Sequence, residues 1–194
     1  MVSPEPAAAA EKAALRRQLV AARQVAQPPG PGLLIVVQSL PAVAGTIALY
    51  VSMAPEPDTG PLIDWLVASG MEVLLPVLHD DNDLGWGLAG AGLVRGRLGL
   101  NQPPVDLGVD AIARADLVIC PALAVDRNGV RLGRGGGSFD RALARVPAGT
   151  PIWAAVYDTE VLDTLPNDPH DHPVHAALTP TRLIRLSGFV NSES

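Results

Sequence analysis

The chain has 194 residues, 48% hydrophobic and 18% charged, a composition typical of one globular domain with a sizeable core. Its formal net charge of −6 argues against DNA or RNA as the main partner, and no apolar run approaches the roughly 20 residues that cross a bilayer. One cysteine, Cys120, and a start without basic residues predict a cytoplasmic protein. The Ala/Pro-rich residues 1–10 are predicted to be a disordered tail before a single domain at 11–194. The oligomeric state stays open, with a monomer favoured.

The first helix is predicted from about Glu11 to Val25, because alanine, leucine, arginine and glutamine favour helix. At about 100° per residue, Lys12, Arg16 and Arg23 lie within about 40° of one another, at the border of a narrow apolar stripe. This basic ridge either points into a cleft or is a solvated face with snorkelling side chains. The spacing alone favours neither interpretation.

Apolar segments of strand length then alternate with helical segments. Strands are predicted at 46–52, 72–76, 116–120, 151–156, 177–179 and 182–186, and short helices at 33–43, 61–69 and 138–145. This alternation predicts a three-layer α/β fold, with a mostly parallel, Rossmann-like sheet covered by helices on both faces. The glycine-rich stretch from Leu84 to Leu100 is predicted only as a β excursion that lines a pocket.

The segment that follows the strand at 116–120 carries the clearest functional signal. It contains glycines at 133, 135, 136 and 137, which leave backbone N–H groups free to converge on phosphate oxygens. Arg131 and Arg134 can add charge-assisted hydrogen bonds, and a helix that begins near Ser138 adds free backbone donors. Because ligands of open α/β sheets lie beyond the carboxyl ends of the strands, this loop is a candidate phosphate site.

Two common phosphate-binding motifs do not fit this loop. A P-loop requires Gly-Lys-Ser/Thr, and Lys12 is the only lysine in the chain. The dinucleotide motif requires a third glycine where Ser138 stands. The structural alternative is a flexible glycine turn, with Ser138 as a helix cap and Asp140 in the favourable first turn.

The order of residues in this segment closely resembles the signature of the 5-formyltetrahydrofolate cyclo-ligase family. That signature is roughly F-D-x-x-G-x-R-L-G-x-G-x-G-Y-Y-D, against Asp126 to Asp140 here. Other matches follow in the family's order and cover nearly the whole chain. They are Lys12, Leu15 and Arg16 on the first helix, the strand and loop from Tyr50 to Thr59, residues 101–103, residues 165–171 and Thr179.

The resemblance implies ATP- and Mg²⁺-dependent ring closure of 5-formyltetrahydrofolate to 5,10-methenyltetrahydrofolate, with release of ADP and phosphate. In that family the formyl oxygen is thought to attack the γ-phosphate, and N10 then displaces the phosphate. Positioning and charge stabilisation do most of this work. The family's fold is a three-layer α/β type related to sugar-phosphate isomerases.

The resemblance also implies roles for individual residues. It places phosphate ligands of ATP at Lys12, Arg16, Arg131 and Arg134, with Arg131 and Arg134 as catalytic groups, and at the backbone of Gly133, Gly135, Gly136, Gly137, Ser138 and Phe139. It places Mg²⁺ carboxylates at Asp140 and Asp171. The resemblance also places folate contacts at Val51 and Glu56. A carboxylate such as that of Glu56 can pair with the amidine-like edge of a pterin.

Some residues depart from the family pattern. Ser138 and Phe139 stand where the family has two tyrosines, and Gln102 replaces a glutamate. These departures keep open a non-catalytic nucleotide- or folate-binding protein, and the fold alone would also suit a sugar-phosphate isomerase. Trp86, between two glycines, is either a core residue or a platform for a folate ring.

Overall fold

The structure is a computed structural model that describes residues 4–26, 30–41, 45–167 and 172–187. Its strands are β1 (Thr46–Ala48), β2 (Glu72–Leu78), β3 (Leu84–Leu88), β4 (Val94–Arg95), β5 (Asn101–Gln102), β6 (Leu117–Pro121), β7 (Ala124–Asp126), β8 (Arg131–Leu132), β9 (Ile152–Ala155), β10 (Val161–Leu162), β11 (Ala176–Leu178) and β12 (Leu183–Arg185). Its α-helices are α1 (Pro4–Ala26), α2 (Gly32–Gln38), α3 (Gly60–Ala68) and α4 (Ser138–Leu143), and 3₁₀ turns lie at 89–91, 97–99, 109–114 and 158–160.

The central sheet contains seven strands in the order β12-β11-β9-β6-β1-β2-β3. The five inner strands run parallel, and β3 and β12 pair antiparallel at the two edges. The predicted mostly parallel α/β sheet is therefore confirmed. Every strand predicted from an apolar run belongs to it, because strands buried on both faces read as continuous hydrophobic segments.

Successive side chains of each strand point to opposite faces, so the sheet separates two cores. Ile47 packs with residues of α2 and α3 on one face. Ala48, the next residue, packs with Ala142 and Leu143 of α4 and with Ile112 on the other face. Helical segments therefore cover both faces, as the predicted three-layer arrangement requires.

A second, three-stranded sheet in the order β10-β7-β8 was not predicted from the sequence. The segment after β6 is predicted only as a glycine loop, whereas its first part forms the antiparallel pair of β7 and β8. These strands are two or three residues long and show no measurable periodicity. The pair brings Arg131 back towards the end of the central sheet and thereby sets where the glycine loop begins.

Helix α1 begins at Pro4, earlier than the predicted Glu11, so part of the segment expected to be disordered is helical. Four alanines at positions 7–10 favour helix, and proline is tolerated in a first turn. Leu15 and Leu19 pack α1 against the small sheet. Within the described ranges, the structure holds no helix long and apolar enough to cross a membrane.

Arg23 anchors the other end of α1 through a buried ion pair. Its Nε and Nη2 atoms donate to the two carboxylate oxygens of Glu160 at 2.6 and 2.7 Å, and Nη2 also donates to the Ala122 carbonyl at 2.6 Å. Glu160 in turn accepts the Tyr157 backbone N–H at 2.8 Å. Of the three ridge residues, Arg23 therefore has a structural role. Its contacts hold α1 against the ends of β6 and β9.

We expect Glu160→Ala to lower the free energy of unfolding by about 3–5 kcal/mol, because it leaves the Arg23 guanidinium buried without its counter-charge. The matched control is Asp163→Ala, which breaks the exposed Arg127–Asp163 pair and should cost about 1 kcal/mol or less. Urea denaturation followed by circular dichroism measures both. Equal midpoints for the two variants would contradict a structural role for the Arg23–Glu160 pair.

Candidate active site

A cavity of about 340 Å³ opens beyond the carboxyl ends of β1, β2 and β6. The loop after β1 forms one wall, the residues from Gly99 to Gln102 form a second, and the glycine loop between β8 and α4 forms a third. Parallel strands end at the same edge of a sheet, so these three segments meet although they are far apart in sequence. The β excursion predicted to line a pocket reaches the cavity through Leu84 and through this second wall.

Eleven of the predicted site residues lie in the cavity wall. They are Val51, Glu56, Arg131, Gly133, Arg134, Gly135, Gly136, Gly137, Ser138, Phe139 and Asp140. Arg16 reaches the glycine loop from α1, Lys12 is buried one helical turn earlier, and Asp171 falls outside the described residues. The structure therefore brings together residues that the sequence places more than 80 positions apart.

The glycine loop has a backbone that only glycine adopts without strain at two positions. Gly135 and Gly137 have φ values of +100° and +69°. A side chain at Gly135 would also lie against the Arg16 guanidinium, 3.5 Å from its Cζ atom. Gly137, not Ser138, is the N-cap of α4, and no side chain caps that helix. The loop thus presents backbone and no side chains to the cavity at these positions.

Arg16 joins α1 to this loop. Its Nε atom donates to the Gly133 carbonyl at 2.9 Å, which places the guanidinium beside the glycine backbone. Lys12, one helical turn earlier, is 5% exposed. The basic ridge is therefore not a solvated face: Lys12 and Arg23 are buried, and Arg16 is half-buried against the loop.

Arg131 and Asp140 form a direct ion pair across the glycine loop, from the Nη2 atom to the Oδ1 atom. The Arg131 side chain is buried, whereas Asp140 is about one-third exposed towards the cavity. The Arg131 Nε atom is buried and has no hydrogen-bond partner among the residues that the structure describes. Such an unpaired donor on a buried cation favours an anionic acceptor.

Glu56 and Arg134 form a second pair, between the loop after β1 and the glycine loop. Arg134 Nη2 lies 3.0 Å from Glu56 Oε1, and Glu56 Oε2 accepts the Met53 N–H at 2.9 Å. Thr59 stabilises this wall, because its hydroxyl donates to the Tyr50 carbonyl at 2.7 Å and accepts the Ser52 N–H at 3.0 Å. No pattern in the sequence indicates the Glu56–Arg134 contact, because the two residues are 78 positions apart.

Phe139 packs between two aromatic rings in edge-to-face geometry. Its centroid lies 6.4 Å from that of Tyr50 and 6.3 Å from that of Trp86. Trp86 has no exposed surface, so the interpretation of Trp86 as a platform for a folate ring is wrong. The flanking glycines suggested an exposed ring, but Val105 and Pro103 pack closely over Gly87 and cover this strand.

Tyr50, two residues after β1, is one of several lining residues to which the sequence assigned no role. Burial, reinforced by the charge of Glu56, raises the pKa of Tyr50 well above its usual value. The phenol is therefore neutral at physiological pH. Burial likewise raises the pKa of Cys120 to about 11, in keeping with a buried apolar role for this thiol.

Oxygen ligands for a cation are sparse in this cavity. No group of three or more His, Cys, Asp or Glu side chains suited to a metal occurs within the part of the chain that the structure describes. Asp140 is the predicted carboxylate in the wall, next to the glycine loop. One carboxylate suits Mg²⁺ that is held mainly by phosphate oxygens and water, the usual arrangement in nucleotide sites.

Three comparisons with known proteins agree. Residues 8–180 match the model of the 5-formyltetrahydrofolate cyclo-ligase family. The chain is 42% identical to the 5-formyltetrahydrofolate cyclo-ligase of Mycolicibacterium smegmatis over 71% of this chain and 74% of that protein, and 34% identical to that of Escherichia coli K12 over 73% and 81%. The solved 5,10-methenyltetrahydrofolate synthetase of Aquifex aeolicus superimposes with a TM-score of 0.78 at 25% identity, covering 94% of this chain and 96% of the other. The chain therefore belongs to the 5-formyltetrahydrofolate cyclo-ligase family of enzymes.

Proposed function

We propose that this protein closes 5-formyltetrahydrofolate to 5,10-methenyltetrahydrofolate with ATP and Mg²⁺, releasing ADP and phosphate. The observation that carries the proposal is a single cavity bordered by two kinds of recognition group. One wall holds an arginine-flanked glycine loop suited to phosphates, and another wall holds Glu56, suited to the donor edge of a pterin.

The nucleotide phosphates would lie on the glycine loop. Gly135 and Gly137 have positive φ values and no side chains, so the loop can turn sharply and leave its backbone N–H groups accessible. The buried Arg131 has an unpaired Nε donor, and Arg134 and Arg16 are partly exposed beside the same backbone. Lys12 adds a further cation from α1. This is a donor set for anionic oxygens, and α4 begins directly after it.

ATP is needed because an amide oxygen is a poor leaving group until it is phosphorylated. The formyl oxygen attacks the γ-phosphorus and ADP departs, which turns that oxygen into part of a phosphate leaving group. N10 then attacks the formyl carbon and loses its proton, and the C–O bond breaks to release phosphate and leave the methenyl bridge. Arg131 and Arg134 stabilise the charge that develops on the transferring phosphoryl oxygens. Val51 and Glu56 hold the folate so that its formyl group faces the loop.

Asp140 would be the protein ligand of Mg²⁺, with the phosphates supplying the other charged oxygens. The bound metal neutralises charge on the phosphates during transfer. Asp140 also holds the Arg131 guanidinium, so one carboxylate would position both Arg131 and the metal ion. Asp171, proposed as the second carboxylate, lies outside the described residues.

A second candidate is a binding protein that keeps this scaffold without turnover. The observation that favours it is Ser138-Phe139, which removes two phenol groups from the cavity wall. It differs from the first candidate in one measurable respect, because both ligands would bind and no product would form.

The first test is turnover with the purified protein. We expect the absorbance of 5,10-methenyltetrahydrofolate to appear only when 5-formyltetrahydrofolate, ATP and Mg²⁺ are all present, with one ADP formed per folate consumed. Binding of both ligands without product would favour the binding protein. Product in the absence of ATP would exclude the phosphorylation step.

Removing one cation from the phosphate site should impair the reaction. We expect Lys12→Ala and Arg134→Ala each to raise the KM for ATP or lower kcat at least about tenfold, or about 1.4 kcal/mol. Arg17→Ala is the matched control, because Arg17 is exposed on the same helix next to Arg16. Steady-state kinetics compare the three variants. A Lys12→Ala enzyme that matches the Arg17→Ala enzyme would remove Lys12 from the site.

Asp140→Asn tests the two roles of this carboxylate separately. Loss of its charge from the buried Arg131 should lower the free energy of unfolding by about 1–2 kcal/mol, reduced because Asp140 is partly exposed. If Asp140 also binds Mg²⁺, the metal concentration for half-maximal activity should rise at least about tenfold. Denaturation and magnesium titrations measure the two effects, with Asp163→Asn as the surface control. A lower stability with an unchanged magnesium requirement would leave Asp140 as the partner of Arg131 only.

A further inference from the structure

The Glu56–Arg134 pair joins the two walls of the cavity. Its ends are held differently: the Glu56 side chain is 7% exposed and also accepts the Met53 N–H, whereas the Arg134 side chain is 50% exposed. Glu56 therefore has one fixed oxygen and one oxygen directed at Arg134. Both residues line the same cavity, so a ligand bound at either wall lies next to this contact.

Each member of the pair has the chemistry that one of the two ligands requires. A phosphate on the glycine loop competes with Glu56 for the donors of Arg134. A ligand with an amidine-like donor edge competes with Arg134 for the Oε1 atom of Glu56. We propose that the Glu56–Arg134 pair couples the two ligand sites, so that binding of either ligand breaks the pair and increases the affinity for the other. This proposal rests on the proposed function for the identity of the two ligands.

The coupling is positive because only the first ligand to bind has to break the Glu56–Arg134 pair. The pair stabilises the protein without ligands, so the first ligand to bind must oppose it. When the second ligand binds, the ion pair is already broken, so its binding does not include the free-energy cost of separating Glu56 from Arg134. Phosphate that takes Arg134 also leaves the mostly buried Glu56 carboxylate without its counter-charge, which makes it a stronger acceptor for the second ligand. By linkage, each ligand must raise the affinity for the other by the same factor.

The size of the coupling depends on how strong the pair is. Glu56 is buried, but Arg134 is half exposed and can be partly solvated, so the value should fall near the low end of known couplings. We expect about a fivefold gain in affinity in each direction. Higher ionic strength should reduce the gain, because salt screens a contact that is open to solvent on one side.

The experiment is calorimetric titration of the protein with a non-hydrolysable ATP analogue and Mg²⁺, with and without saturating 5-formyltetrahydrofolate. The wild type should bind the analogue about fivefold more tightly when folate is present, and the reverse titration should give the same factor. Glu56→Gln should bind the analogue more tightly than the wild type does in the absence of folate, because Arg134 is already free. In this variant folate should produce no further gain.

Asp58→Asn is the matched control. Asp58 lies on the same loop, and its carboxylate accepts the Gly60 N–H at 2.9 Å. This variant should keep the fivefold coupling, which separates loss of the pair from general disturbance of the loop. A Glu56→Gln protein that binds the analogue no better than the wild type would overturn the proposal.

Failure of the coupling and failure of the proposed function give different results. If the wild type turns over and binds both ligands with independent affinities, the coupling is wrong and the function stands. If the wild type binds neither ligand and forms no product, the proposed function is wrong and the coupling with it.

Discussion

Placing several arginines beside one glycine loop requires that each be held by an oxygen of the protein. Arg16 donates to the Gly133 carbonyl and Arg131 to Asp140, and Arg134 forms an ion pair with Glu56. Unpaired, these guanidinium groups would repel one another and leave buried donors unsatisfied. The pairing keeps the cations near the loop in the absence of any ligand, so the geometry of the site exists before a ligand binds. Such preorganisation reduces the reorganisation that binding and catalysis require.

The small sheet supplies the geometry that this pairing needs. Asp126, at the end of β7, accepts the backbone N–H groups of Asn128 and Val130 through one oxygen and that of Leu165 through the other. These bonds fix the turn that leads into β8 and carry Arg131 to its position beside α4. A buried carboxylate with three backbone donors is satisfied without a counter-ion. Asp126 therefore affects the site only by fixing the backbone that positions Arg131, and its side chain does not line the cavity.

The sequence was most informative where the chain repeats one pattern over several residues. Continuous apolar runs predicted the inner strands correctly, because a strand that is buried on both faces is hydrophobic at nearly every position. Very short elements such as β7 and β8 gave no such pattern and were missed. Contacts between distant segments were also beyond prediction: nothing near Glu56 indicates Arg134, and nothing near Arg23 indicates Glu160. Asp140 illustrates the limit, since the sequence indicates a place in the first turn of a helix or a metal ligand and does not indicate the contact with Arg131.

Phe139 shows how the departure from the family pattern is accommodated by packing. The ring contributes to both cores and is held by Tyr50 and Trp86, so it fixes the start of α4 without a hydroxyl. Edge-to-face pairs of this kind each stabilise by about 0.5–1.5 kcal/mol beyond their burial. The glycine loop precedes this residue directly, so a firmly packed Phe139 also restrains the loop. Phosphoryl transfer depends on positioned cations and backbone donors more than on a phenol. Loss of the hydroxyl at this position is therefore compatible with turnover, provided that the loop and its arginines keep their places.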